Sequence, residues 1–433
     1  MELTGIQVGI LMIALALGLM MIGFPVAVTM IIAGFLGMLL IRGSVPGFGL
    51  LGWQTWAQSL KQILVIVPLY IWLGMMAGRG GTGADAFTAL YKWVGHFRAG
   101  LAYAVAFATA AFSAISGNHI AAASAMSRIS FPEMRRYKYD DGFSLATIAA
   151  SANLDIMIPP SGSFILYGFL TDTSIRDLFI AGILPGLFIM ALLVIQIAVQ
   201  TRLKPGLAPA GPRVGWAERL KSTYLLWPIV LVFLLVIGGI YTGIFTPTEG
   251  ACVGCFVILV ISVARRKLNA KGIIGTLRET MPISAMVMLM LISARIFAST
   301  LSVSGVPVAL TEFIINSGLS PYAVMFLILF VYVIAGIIMD IFAVLVITLP
   351  VFFPLVLALG FNPLHFGVLC VAAIMVGSIS PPFAIWAFAL HNMNRDVPLA
   401  TIFRASIPFV ITTAIAMFIL VFLPQLATWL PSH

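Results

Sequence analysis

The sequence predicts an all-α, polytopic membrane protein built from two inverted repeats. Hydrophobic residues make up 61% of the 433 residues and charged residues only 9%, against about 45–50% and about 25% in a soluble domain. A soluble fold of this length cannot bury so much apolar surface, so the chain has to lie in lipid. Recurring prolines indicate the repeat, and the distribution of cations among the loops indicates its inversion.

The apolar segments are of two kinds. A membrane-spanning helix needs about 20 mostly apolar residues. Good candidates occupy residues 6–22, 26–41, 62–78, 179–200, 223–245, 248–264, 281–300 and 404–423. Polar residues or prolines interrupt four longer segments midway, namely 99–131, 142–169, 321–352 and 366–391. No basic residue precedes the first apolar run, so we expect the first helix to be retained rather than cleaved as a signal peptide.

An internal repeat relates the two halves of the chain. A shift of 222 residues pairs Pro25 with Pro247, Pro132 with Pro354, Pro159-Pro160 with Pro381-Pro382, and Asn118 with Asp340. We predict a first repeat over 1–200, a linker over 201–222 and a second repeat over 223–433. The first contains scaffold helices within 1–78, a hairpin at about 99–131 and a broken helix at about 142–169. The second contains scaffold helices within 223–300, a hairpin at about 321–352 and a broken helix at about 366–391.

Loop charges give the repeats opposite orientations in the membrane. Residues 128–138 carry four Lys or Arg, whereas their equivalents at 350–360 carry none. The linker 201–222 carries five. Cytoplasmic loops collect Lys and Arg, so the linker is predicted to be cytoplasmic and both termini periplasmic. The segments 99–131 and 321–352 then become re-entrant hairpins from opposite faces. The net charge of +9 follows from this topology, and no nucleic-acid partner is expected.

The first broken helix contains Pro159 and Pro160. Because proline has no backbone N–H, the carbonyls of Asp155 and Ile156 lose their helical partners, and in hydrocarbon they must be satisfied by protein, water or an ion. The half-helix that restarts at Ser161 directs free N–H groups at the break. The break therefore offers oxygens to a cation and donors to an anion, with Ser161, Ser163 and Asp155 as candidate substrate contacts. A proline kink satisfied by neighbouring helices is the alternative.

The second half repeats the same element at Pro381 and Pro382. Here the carbonyls of Gly377 and Ser378 lose their partners. Inverted repeats with broken helices are typical of secondary transporters, whose sites lie near the middle of the membrane. Two breaks at symmetric positions therefore favour a binding site over two unrelated kinks.

Each break is expected to face a hairpin tip. The first tip is Ser113–His119, and the second is Gly336–Asp340. An aspartate inside the membrane is functional by default, and Asp340 would suit an alkali cation. A helix-capping or ion-paired structural aspartate is the alternative. Arg295 could bind a substrate carboxylate, and it could equally reach the outer surface or pair with an acidic side chain.

These residues together resemble one family, the large membrane subunit of tripartite ATP-independent periplasmic (TRAP) transporters. The similarity spans nearly the whole chain and rests on Ile115-Ser116-Gly117, Ile158-Pro159-Pro160-Ser161, Ala181–Gly186, Thr246-Pro247-Thr248-Glu249, Asp340, Leu349-Pro350 and Ser380-Pro381-Pro382. The resemblance implies an elevator-type transporter of the bacterial inner membrane that couples sodium to uptake of a small organic anion, a carboxylate or sulfonate. It also implies a small four-helix membrane subunit and a soluble periplasmic substrate-binding protein as partners, and no covalent cofactor.

In the family pattern, sodium ions lie between hairpin tips and helix breaks. The matching positions are Ser116, Gly117, Asn118, Ser151, Asn153, Gly336, Asp340, Gly377 and Ser380. The chain departs from the pattern where Asp155-Ile156 replaces the common Gly-Pro and where Met375 replaces an acidic residue. These departures make Asp155 either a relocated ligand or a proton-sensitive group.

Other function classes fit the sequence less well. A stand-alone dicarboxylate carrier of related architecture, working without a binding protein, is the first alternative. An intramembrane enzyme would need a nucleophile and base or a metal motif such as HExxH, and the sequence contains neither. It also contains no GxxxxGK[ST] loop for ATP. A purely structural subunit would have little use for duplicated breaks.

Overall fold

A computed structural model describes residues 4–116 and 119–432. These residues form helices joined by turns, and the described ranges contain no β-strand. The helices of the first half are α1 (Gly5–Met21), α2 (Val26–Arg42), α3 (Ser44–Ser59), α4 (Ile66–Arg79), α5 (Thr82–Val94), α6 (Gly100–Ser116), α7 (His119–Arg136), α8 (Asp141–Ala152), α9 (Gly162–Thr171) and α10 (Ile175–Leu203).

The second half begins with α11 (Trp216–Thr223), so helices extend into both ends of the predicted linker. The others are α12 (Trp227–Phe233), α13 (Gly239–Tyr241), α14 (Pro247–Ala264), α15 (Ala270–Ser304), α16 (Val306–Asn316), α17 (Pro321–Ile338), α18 (Ile341–Ala358), α19 (Pro363–Ser378), α20 (Ile385–Met393), α21 (Leu399–Phe422) and α22 (Gln425–Thr428). A π-helical turn, Leu234–Gly238, joins α12 to α13.

The surface of these helices suits a lipid environment. Among the described residues, seven helices are long and apolar enough to cross a membrane. Large apolar side chains on them point outward: Phe256 of α14 is 67% exposed and Phe330 of α17 is 62% exposed. The chain is thus a multi-span membrane protein. Both α17 and α18 reach spanning length, and whether their hairpin is re-entrant stays a prediction.

The helix boundaries follow the 222-residue shift. Helices α1 and α12 begin at Gly5 and Trp227, and α7 and α18 correspond at both ends. Helices α8 and α19 also begin at equivalent residues, where the side chains of Asp140 and Asn362 cap them. The two halves therefore share one plan of helices, including the breaks.

The two helices that lead into the breaks start at opposite ends of the molecule. Helix α8 starts beside the linker, because the Asp140 N–H donates to the Leu207 carbonyl at 3.0 Å. It runs to the first break, from which α9 continues. Tyr167 of α9 donates to the carbonyl of Pro363, at the start of α19, at 2.7 Å. Helices α8 and α19 are thus antiparallel, as an inverted repeat requires, while their orientation in the membrane stays a prediction.

An ionic contact joins the two halves at the linker end. Arg135, at the end of α7, bonds Asp141 at 2.7 Å and Asp396, after α20, at 2.5 Å. The hydrogen bond from Arg135 holds the pKa of Asp396 below its usual value. The loop that follows α20 therefore lies at the end where α8 begins.

Two glycines permit the closest approach of α17 and α19. A Cβ on Gly377 would lie 2.5 Å from the Val333 carbonyl oxygen and 2.8 Å from Gly336 Cα. A Cβ on Gly336 would lie 3.2 Å from the Ile374 carbonyl oxygen. Backbone atoms cannot rotate away as a flexible side chain can, so only glycine fits at position 377. This contact brings the second tip against the second break.

We expect Gly377→Ala to destabilise the protein, because α17 and α19 must separate to admit the methyl group. The cost of such overpacking is typically about 1–3 kcal/mol. Thermal unfolding of the purified protein in detergent would measure it. Gly52→Ala in α3 is the matched control, since a Cβ there meets nothing within 4 Å. Equal unfolding midpoints for the two variants would contradict the tight approach.

Candidate functional site

The first break lies midway along the α8–α9 segment. Helix α8 ends at Ala152, a 3₁₀ turn follows at Asn153–Ile156, and α9 begins at Gly162. The Pro159-Pro160 peptide bond is cis. Every residue from Asn153 to Ser161 is buried, so the backbone groups of the break need partners within the protein.

Two serine hydroxyls supply those partners for Ile156. Its carbonyl, freed by Pro160, accepts from Ser161 Oγ at 2.6 Å and from Ser163 Oγ at 2.8 Å. The two hydroxyl oxygens lie 2.6 Å apart, and with one proton each the serines make two of these three hydrogen bonds at a time. As a result, Ser161 makes no side-chain cap on α9. The first-turn N–H groups of α9 therefore have no side-chain cap at the break.

At the second break, an indole group rather than a hydroxyl group donates to the equivalent carbonyl. The carbonyl of Ser378, equivalent to that of Ile156, accepts from Trp386 Nε1 at 2.9 Å. The Gly377 carbonyl accepts from the Ser380 N–H at 2.9 Å, and the Pro381-Pro382 bond is cis. Of the partners that the sequence left open for the freed carbonyls, namely protein, water or an ion, the protein itself serves Ile156 and Ser378 through nearby hydroxyl and indole groups.

The two breaks are hydrogen-bonded to each other. Asn153 Nδ2 donates to the Met375 carbonyl at 2.9 Å, and Ser378 Oγ donates to Asn153 Oδ1 at 2.9 Å. Residues 153 and 375 are equivalent under the repeat, so their contact lies near the axis that relates the halves. Asn153, a predicted sodium ligand, therefore connects the breaks.

The other predicted sodium ligands are placed unevenly. Ser151 Oγ donates to Thr147 O at 2.7 Å, and Ser380 Oγ donates to Val376 O at 2.6 Å, which leaves oxygen lone pairs on both hydroxyls. Gly336 and Gly377 lie in contact. Helix α6 ends at Ser116, whose side chain is outside the described part of the chain, and Gly117 and Asn118 also lie outside the described residues.

Asp340 forms the turn at the second tip. Its Oδ1 accepts from the N–H groups of Phe342 at 2.7 Å and Ala343 at 3.3 Å, capping α18. The capping role considered from sequence is therefore present. Both hydrogen bonds use the same oxygen, and Asp340 also lines a cavity, so the capping role is compatible with cation binding.

That cavity has a volume of about 260 Å³. Helices α4 and α15, both breaks and the second tip contribute residues to its wall. The lining residues that matter for its chemistry are Tyr70, Asp155, Gly162, Ser163, Asp340 and Trp386. Sequence analysis singled out neither Tyr70 nor Trp386, although a buried indole N–H generally needs an acceptor.

The charged side chains that line the cavity are acidic. Asp155 is 4% exposed, and Asp155 and Asp340 are the charged residues in the described lining. Arg295 is not part of that lining. It pairs with Asp172 at 2.7 Å and donates to the Phe169 carbonyl, which is the ion-pair alternative left open by the sequence. No group of three metal-binding side chains occurs within the described ranges.

Solved transporters share this fold. The chain superposes on the Alcanivorax borkumensis YdaH transporter with a TM-score of 0.66, at 14% identity, over 90% of each chain. It superposes on Neisseria gonorrhoeae MtrF, described as one of a class of antimetabolite efflux pumps, with a TM-score of 0.58 at 13% identity. That match covers 98% of this chain and 95% of MtrF. These likenesses define the class of fold.

The family model described as "Tripartite ATP-independent periplasmic transporter, DctM component" matches residues 13–426, and the chain belongs to that family. Ectoine TRAP transporter large permease protein TeaC of Halomonas elongata is 31% identical over 97% of this chain and 98% of its own length. C4-dicarboxylate TRAP transporter large permease protein DctM of Pseudomonas aeruginosa is 32% identical over 85% and 86%. These relatives are named as permeases and not as enzymes.

The two donors to Ile156 predict a non-additive pair of substitutions. Ser163→Ala alone should have a small effect, because Ser161 still donates to the carbonyl. Ser161→Ala with Ser163→Ala should cost about 1–3 kcal/mol more than the sum of the single changes, the usual penalty of a buried unsatisfied carbonyl. Unfolding midpoints of the four proteins in detergent would measure this, and strict additivity would show that the hydroxyls do not share one acceptor.

Proposed function

We propose that this chain is the large subunit of a sodium-coupled transporter, which imports a small organic anion, a carboxylate or sulfonate. The cavity between the scaffold helices and the paired breaks carries this proposal, because a substrate and its coupling ions would lie there together. The carboxylate of Asp340 lies in the wall of this cavity, and only one of its oxygens accepts the capping hydrogen bonds of α18. The other oxygen can bind a sodium ion, because alkali cations prefer hard oxygen ligands.

We place the proposed sodium sites at the positions that match the TRAP family pattern. One site would lie at the second tip and break, with Asp340, Gly336, Gly377 and Ser380 as neighbours. The other sodium site would lie at the first tip and the first break, near Ser116, Gly117, Asn118, Ser151 and Asn153. One cation crossing 100 mV releases about 2.3 kcal/mol, and a tenfold sodium gradient adds about 1.4 kcal/mol. At least two sodium ions are proposed for each substrate.

The acidic group of the substrate would bind at the start of α9. The N-terminus of a helix favours an anion through its N–H groups and its dipole. At α9 no side-chain cap competes for those N–H groups, and Gly162 and Ser163 line the cavity. The hydroxyls of Ser161 and Ser163 orient this end of the site through Ile156.

An elevator movement agrees with the position of the cavity at the boundary between two sets of helices. The mobile domain would carry both hairpins and both breaks past a scaffold that includes α4 and α15. Arg295 of α15 crosses this boundary to reach the loop that follows α9. Such a movement would break the contacts of Arg295 with Asp172 and Phe169.

The family name and the relatives suggest the partners. We propose that the chain works in the bacterial inner membrane with both termini periplasmic, a small four-helix membrane subunit and a soluble periplasmic binding protein. Relatives are named for ectoine, C4-dicarboxylates, sialic acid and isethionate. Reconstitution with and without the partner chains separates this proposal from a stand-alone carrier, which would transport without them.

Asp340→Asn should weaken sodium coupling. Loss of the carboxylate charge removes a hard oxygen ligand, while the amide oxygen can still cap α18. We expect the sodium concentration for half-maximal uptake in proteoliposomes to rise by about tenfold or more, the effect of losing one charge-assisted contact. Glu312→Gln on the exposed face of α16 is the control. An unchanged sodium dependence in Asp340→Asn would remove Asp340 from the site.

A covalent link between α15 and the loop after α9 should prevent transport by an elevator-type movement. In a background without the three native cysteines, Asp172→Cys and Arg295→Cys can be joined by a short bifunctional maleimide. We expect uptake to be lost on crosslinking, while each single variant treated in the same way retains its uptake. Full uptake by the crosslinked protein would rule out relative movement of these two elements.

A further inference from the structure

The basic segment, residues 266–281, connects α14 to the first turns of α15 and differs in charge from its repeat equivalent. It contains four Lys or Arg, whereas the equivalent residues 44–59, which form α3, contain none. Helix α3 instead exposes Trp53 and Trp56, at 69% and 65%. Tryptophan is enriched at the boundary between lipid and water. The two segments therefore both suit that boundary, but only the one in the second half is cationic.

One face of the start of α15 is attached to α4. The indole Nε1 of Trp72 donates to Thr276 Oγ1 at 3.1 Å. Arg79, at the end of α4, pairs with Glu279 at 2.5 Å. The side chains of Thr276 and Thr280 are buried. These contacts fix the rotation of the helix about its axis, so its opposite face points away from the protein.

That outward face combines cations with apolar side chains. With 3.6 residues per turn, Lys271, Ile274, Arg278 and Met281 lie on the side of the helix opposite to Thr276. Ile274 is 51% exposed and Met281 is 68% exposed, and Lys271 and Arg278 are also exposed. Lys271 and Arg278 lie two turns apart, about 10 Å along the axis, with Ile274 between them.

The cations of the basic segment have no acidic partner in the described part of the chain. Nearby carboxylates are already engaged: Asp85 pairs with Arg265 at 2.7 Å, and Glu279 pairs with Arg79. Within residues 4–116 and 119–432, no ion pair involves the remaining cations, Arg266, Lys267, Lys271 and Arg278. Their positive charge is available to a negative group outside the chain.

We propose that the basic segment binds an anionic phospholipid, with its phosphate on Lys271 and Arg278 and an acyl chain along Ile274 and Met281. Lys and Arg bind phosphate through charge-assisted hydrogen bonds, and basic segments beside a membrane attract anionic lipids. A soluble anion would match the cations and leave the apolar side chains uncovered. A lipid matches both, because it carries charge and hydrocarbon in one molecule.

Two lipids with identical acyl chains test the proposal. The full chain in detergent would be titrated with dioleoyl phosphatidylglycerol or dioleoyl phosphatidylcholine, and thermal unfolding would report binding. Each cation near an anionic lipid strengthens binding by about fivefold, so we expect at least about tenfold tighter binding of phosphatidylglycerol. Equal stabilisation by the two lipids would overturn the proposal. Equal stabilisation by glycerol phosphate, which has no acyl chain, would also overturn it in favour of a soluble anion.

A matched pair of double variants assigns the preference to this surface. Lys271→Gln with Arg278→Gln should lose at least about tenfold of the preference for phosphatidylglycerol. The unfolding midpoint without lipid should stay unchanged, because neither side chain forms an ion pair. Lys204→Gln with Arg213→Gln, at exposed positions of the linker, removes the same net charge and should keep the preference. A preference retained by the first variant, or lost equally in both, would overturn the assignment.

Discussion

The site depends on how the chain satisfies backbone carbonyls where a helix is broken inside a membrane protein. Each Pro-Pro pair deprives the preceding turn of N–H donors, and no water of the bulk phase is available to replace them. Ser161 and Ser163 serve the Ile156 carbonyl, and Trp386 serves that of Ser378. These two carbonyls therefore have partners within the protein and do not depend on a bound ion for them.

The same requirement couples the two halves. Once the first break is formed, Asn153 reaches across to the Met375 carbonyl and accepts from Ser378. Close packing of Gly336 on Gly377 then fixes the second tip against the second break. These contacts hold both breaks and that tip together as one unit. The elevator movement proposed above requires such a unit, because its binding groups would have to keep their geometry while it moves past α4 and α15.

Sequence reasoning predicted the plan of the fold better than the details of the site. The proline spacing located both breaks, and the 222-residue shift relates helix starts such as His119 and Ile341, because these features depend on local chain geometry. Which side chains donate hydrogen bonds to the carbonyls of the breaks depends on contacts in the folded structure. Trp386 lies eight residues beyond its acceptor, with no periodicity that marks it. The partner of Arg295 lies 123 residues away, and loop charges alone could not identify it.

The repeat also explains why the site has two chemically different ends. A duplicated fold provides two equivalent breaks, and identical breaks would offer a substrate the same groups twice. Here the halves have diverged at equivalent positions, with Asp155 opposite Gly377 and Phe164 opposite Trp386. The divergence places a carboxylate and an uncapped helix start in one half and an indole and a capping aspartate in the other. A symmetric backbone with asymmetric side chains therefore gives the cavity wall a polarity that two identical breaks could not provide.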